Sequence, residues 1–137
     1  MFKLKKILNG KTNVPEIQLW NQDASVYIKA GCVYVLEDTT LLCDEPSSYP
    51  NCLKLLSTST IEDEYYDGPI PAFIITNDMV FEVDLKSDTF PPIGSKVKVA
   101  FDNRGVASMV EPVEEGGDAL VIATHGSDTK TVDVMFF

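Results

Sequence analysis

The chain has 137 residues, 45% of them hydrophobic, which is enough for one domain with its own core and argues against whole-chain disorder. No apolar run approaches the ~18 residues that a membrane-spanning helix needs. The net charge of −10 is unevenly placed. Lys3, Lys5, Lys6 and Lys11 lie in the first eleven residues, which contain no acid, and the remainder sets seven basic residues against all 21 acidic ones, a net −14. An acidic body repels phosphate, so no nucleic-acid partner is expected, and no membrane partner either. Cys32, Cys43 and Cys52 include no CxxC pair, and one histidine cannot complete a Cys/His zinc site of ordinary spacing. Free thiols in a reducing compartment are expected, with a single disulfide left open. The start, MFKLKKILNGKTN, has lysines but a broken apolar stretch and no small-residue cleavage site, so synthesis in a cytoplasm is expected.

In chain order, Phe2 and Leu4 alternate with Lys3 and Lys5 until Lys6 breaks the pattern; Phe2–Leu8 reads as a short strand or an extended arm. Asn9-Gly10 is a turn signal, and Lys11–Pro15 a polar connector. Short extended pieces follow at Ile17–Trp20 and Ser25–Lys29. Ala30-Gly31 reverses the chain into Cys32–Leu36, with Gly31 free to take a positive φ. Thr40–Cys43 and Cys52–Leu56 flank a loop, Asp44–Asn51, whose two prolines exclude a central strand. Ser57–Asp67 is the most loop-like segment.

The clearest pattern is Pro71–Phe101, read as strands Ala72–Thr76, Met79–Leu85 and Lys96–Phe101. Phe81, Val83 and Leu85 alternate with Glu82 and Asp84, and Val97, Val99 and Phe101 with Lys96 and Lys98. Asp102-Asn103-Arg104-Gly105 is the strongest turn, and Val106–Val110 pairs back. Ala119–Thr124 is a continuous apolar run, expected to be buried on both faces. Lys130–Phe137 closes the chain. Turns every 8–12 residues or so and no sustained helical period predict an all-β protein. The expected architecture is a single antiparallel β-sandwich or barrel-like domain of short strands over residues 14–137, preceded by a basic N-terminal arm over 1–13.

Chemical motifs are weak. His125, in the sequence HGSD, reads as a turn histidine rather than a catalytic base. Glu62, Asp63, Glu64 and Asp67 match no EF-hand spacing and read as a solvated acidic loop. No phosphate loop, dinucleotide fingerprint or HExxH occurs. No catalytic residue, cofactor or metal is therefore expected, and the chain is not read as an enzyme.

The segments Asn13-Val14-Pro15-Glu16, Val26-Tyr27-Ile28-Lys29-Ala30-Gly31, Asp78-Met79-Val80-Phe81-Glu82-Val83 and Pro92-Ile93-Gly94-Ser95-Lys96-Val97, with the closing Val132–Phe137, give the chain a resemblance. It resembles the small β-rich decoration, auxiliary or head-stabilising proteins of tailed-phage capsids. That resemblance implies a structural virion protein on the capsid exterior, made in the host cytoplasm, with the major capsid protein as partner and self-association into a homo-oligomer as a further contact. In that setting Phe2, Lys3, Leu4, Lys5, Lys6 and Ile7 are the candidate partner-binding arm, and Tyr49, Tyr65 and Tyr66 the candidate contact loops. The alternative is a carbohydrate- or host-surface-binding virion module that uses the loop tyrosines as a sugar platform.

Overall fold

A computed structural model describes residues 1–8, 16–20, 30–37, 40–49, 51–58, 69–126 and 128–137. The described residues form eleven strands: β1 (Lys3–Ile7), β2 (Ile17–Trp20), β3 (Val33–Glu37), β4 (Thr40–Leu42), β5 (Leu53–Ser57), β6 (Pro69–Ile74), β7 (Met79–Leu85), β8 (Lys96–Phe101), β9 (Ala107–Pro112), β10 (Ala119–Thr124) and β11 (Thr131–Phe136). A single 3-10 turn, Pro46–Ser48, sits in the proline-bearing loop. The all-β reading holds. The expected piece at Ser25–Lys29, the acidic loop with Tyr65 and Tyr66, and Lys11 lie outside the described residues.

The strands make two sheets. One runs β1-β7-β11-β10-β8-β9 and closes through a parallel pairing of β7 with β9, at Asp84↔Met109 and Leu85↔Val110. Strand β7 divides one edge between two partners: Met79–Glu82 pair with β1, and Asp84–Leu85 with β9. The result is a five-stranded barrel, β7-β11-β10-β8-β9, with β1 added alongside. Closure removes the free edges of the barrel itself, while β1, at the end of the sheet order, keeps an outer edge. The second sheet, β2-β6-β5-β3-β4, is antiparallel throughout and curls over the barrel. Pro69 and Pro71 open β6, ahead of the expected strand start at Ala72. Pairing with β5 starts only at Ala72, after the last residue that lacks an N–H.

Alternation places the core. Phe81, Val83 and Leu85 of β7 meet Val97, Val99, Val132 and Val134 inside the barrel. The row Val33↔Leu56↔Phe73 crosses the second sheet and faces the same core. On the opposite face Tyr34, Leu55 and Ala72 join Cys32, Leu41 and Val106 in a smaller cluster. Four phenylalanines knit the parts together. Phe2 and Phe136 each stand against Phe81, with ring centroids 6.2 and 5.7 Å away, and Phe73 of the second sheet stacks on Phe81 at 6.3 Å. Each such pair adds about 0.5–1.5 kcal/mol beyond the area it buries.

The expected turns are present where they are described. Gly31 has φ +75°. In the β8–β9 turn Gly105 has φ +76°, and the Asp102 carboxylate accepts the N–H groups of Arg104 at 2.8 Å and Val106 at 3.1 Å. One expectation is corrected. Strand β10 is not buried on both faces: Ala119 and Val121 point inward, while Leu120 and Ile122 are each 37% exposed. An apolar run does not distinguish a doubly covered strand from a barrel strand whose outer face meets solvent.

Candidate functional site

The N-terminal segment is a strand, not a detached arm. Phe2 is buried at 1% exposure, and Leu4 and Ile7 pack against the barrel core. The break in alternation at Lys6 has a structural cause. Leu4 pairs with Phe81 and Lys6 with Val80, so Lys5 is an extra residue, a β-bulge, that returns Ile7 to the core side. Of the six residues assigned to a partner-binding arm, the three apolar ones are therefore committed inward, and Lys3, Lys5 and Lys6 are exposed.

Lys5 does not simply point to solvent. Its Nζ donates to Asp133 Oδ2 at 2.9 Å. Asp133 lies on β11 opposite Glu82 of β7, which in turn stands opposite Lys3 of β1. The other Asp133 oxygen, Oδ1, lies 2.8 Å from Nε2 of His125, and Glu82 Oε2 lies 3.3 Å from the same nitrogen. His125 follows β10, and its backbone N–H donates to the Thr131 carbonyl at 3.1 Å, closing the β10–β11 turn. A second bulge precedes it: Val121 pairs with Val134 and Ala123 with Asp133, leaving Ile122 extra. Bulges bend a strand and re-aim its side chains. Here two of them flank one polar cluster on the outer face of β1, β7 and β11.

The electrostatics of the cluster are settled by contact. Burial opposes ionisation of Asp133, but the hydrogen bonds from His125 and Lys5 outweigh it and hold the carboxyl below its ordinary value. The hydrogen bond to Asp133 raises the Lys5 ammonium above its ordinary value. Both groups are charged at neutral pH.

The loop residue Tyr49 stands apart from this cluster. Its hydroxyl donates to Asp44 at 2.6 Å, and that bond, with burial and nearby acids, pushes its pKa up to about 12. Tyr49 borders an open depression of about 330 Å³ together with Asn51, Cys52, Lys54 and Asp118. The floor is held by Asp118, whose carboxylate accepts the N–H of Ser47 and the N–H of Val99, both at 2.7 Å. A wider cleft of about 490 Å³ lies elsewhere, lined by Phe90, Pro91, Pro92, Pro112 and Val113 with Lys96 at its rim. The three cysteines are free thiols.

The cluster of Lys5, Glu82, His125 and Asp133 was not foreseen from the sequence. Its members lie as far as 128 residues apart, and only the strand register brings them together. The sole usable signal was the outward phase of Glu82 and Asp133 on adjacent alternating strands. Compared with family models, with curated proteins and with solved structures, the chain finds no match.

Proposed function

We propose that this protein is a structural virion component that attaches to the outer surface of a phage capsid and stabilises the shell, with the major capsid protein as its partner. The observation that carries the reading is the outer edge of β1. This strand ends the order of its sheet, so its outer edge has no strand partner among the described residues. Lys3 and Lys6 lie exposed along it, at the basic end of a strongly acidic chain. Such an edge is suited to an extended acidic segment, which would gain backbone hydrogen bonds from strand addition and selectivity from the lysines. The inward anchoring of Phe2 makes β1 a fixed rail rather than a tether, so little ordering entropy opposes docking. Repetition over a shell lattice multiplies a weak single contact into avidity. The resemblance to capsid decoration proteins supports the same reading.

Co-sedimentation with shells of the virus whose genome encodes the chain tests it. Saturable binding at a fixed copy number, weakening as salt rises, is expected. The double variant Lys3→Glu/Lys6→Glu should lose binding and keep its β-sheet circular dichroism. Absence of binding to the shell overturns the proposal, and binding to a glycan array instead would favour the carbohydrate-binding alternative.

A further inference from the structure

The contacts of His125 pose a problem of proton counting. Two carboxylate oxygens, Asp133 Oδ1 at 2.8 Å and Glu82 Oε2 at 3.3 Å, converge on one ring nitrogen. Nε2 carries at most one hydrogen in any protonation state, so two anionic acceptors share a single donor. A cation placed between the three atoms would serve all of them.

The distances suit that placement. The three donor atoms all lie within 4.8 Å of one another. A tetrahedral zinc ion with bonds of about 2.1 Å holds its ligand atoms about 3.4 Å apart, so only small side-chain adjustments are required. The donor set selects the class of ion. One imidazole with two carboxylates suits zinc and similar transition-metal ions, whereas calcium and magnesium favour oxygen donors alone. Glu82 and His125 are each about a third exposed, which leaves an approach for the ion and room for a water as further ligand.

The surroundings favour an ion as well. Lys5 binds Oδ2 of Asp133, and thereby orients Oδ1 toward Glu82 and His125 in the manner of an outer-shell partner. Lys5 touches only one of the four carboxylate oxygens, and the chain's overall charge draws cations. The ligands come from β7, β11 and the β10–β11 turn, so an ion there would tie three parts of the barrel together, and β1 through Lys5.

We infer that Glu82, His125 and Asp133 form a binding site for a zinc-type divalent ion that clamps the outer face of the barrel. This does not rest on the virion reading; it requires only the folded chain. Because these ligands converge only in the folded state, binding should raise stability with the logarithm of the free ion concentration once it exceeds the dissociation constant.

The test is titration of the metal-free full chain with Zn²⁺ by calorimetry and thermal denaturation, and with Co²⁺ by absorption. One saturable ion per chain is expected, with a rise in Tm on adding Zn²⁺ and visible cobalt bands without the near-ultraviolet thiolate charge-transfer band. Glu82→Gln and His125→Gln, both at partly exposed positions, should each weaken binding tenfold or more while the metal-free protein still unfolds cooperatively. Absence of saturable binding overturns the inference. So does a thiolate band, which would place the ion on cysteine, or an affinity unchanged in both variants.

Discussion

Phe2 donates its backbone N–H to the carbonyl of Gly31 at 2.9 Å, and through that bond the first residues of the barrel sheet are joined to the entry into β3 of the second sheet. Gly31 in turn donates to the Ser57 carbonyl at 2.8 Å, at the end of β5. The approach is close. A Cβ on Gly31 would lie 2.9 Å from the Phe2 carbonyl oxygen and 2.9 Å from Cβ of Met1.

Gly31→Ala should therefore destabilise the protein on two counts. The residue has φ +75°, where an L side chain is strained, and the added methyl meets backbone that cannot swing aside. The expected loss is about 1–3 kcal/mol, read from urea denaturation as a lower midpoint with an unchanged slope.

Phe2→Ala tests whether the N-terminal strand belongs to the fold. Phe2 is among the largest fully buried side chains and touches Phe81 and Phe136. Its removal should cost about 3–5 kcal/mol, as for other buried aromatic truncations. A loss under about 1 kcal/mol in the same denaturation experiment would return the segment to the detached arm suggested by its charge.

Asp118 links the 3-10 turn to the barrel, and Asp118→Ala leaves the Val99 N–H buried without its acceptor. Removing the buried charge offsets part of that cost, and a net loss of about 2 kcal/mol is expected. The same carboxyl has a pH signature. Burial pushes its pKa above the ordinary 3.8, against the N–H groups of Val99 and Ser47. The folded state thus holds this proton more tightly than the unfolded chain does. The stabilising contribution of that proton is fully present below 3.8 and is lost as pH rises through the folded pKa. The stability of Asp118→Asn relative to the parent should accordingly shift in favour of the variant over that window. Parallel urea titrations between acid and neutral pH would show it; a constant difference would refute the assignment.

The thiols should be slow to react. Cys32 is fully buried, and burial pushes the Cys43 thiol up to about 11 despite its contact with the Ala107 N–H. Cys52 is half-buried, with its thiol also raised chiefly by burial. At pH 8 a disulfide reagent should modify Cys52 first, and Cys32 and Cys43 only at the rate of unfolding. Mass mapping of the modified cysteines checks the order.

Period-two alternation by itself determined much of this protein. It marked β7 and β8 at their observed bounds and set which side chains face the core, because in a strand the phase of a residue is its face. Turn chemistry did the same locally: Asp102 and Gly105 hold the β8–β9 reversal through bonds between residues at most six apart. Tertiary structure decided what depends on pairing between distant strands. Whether β10 had one covered face or two turned on whether another layer packs over its outer face, where Leu120 and Ile122 stay partly exposed. The bulge at Lys5 exists only relative to β7, since an extra residue is defined by the partner it fails to match. The meeting of Lys5, Glu82, His125 and Asp133 needs β1, β7, β10 and β11 in their observed order and register. A one-residue slip would turn Glu82 or Asp133 into the core, so the site is a property of register, which no local pattern carries.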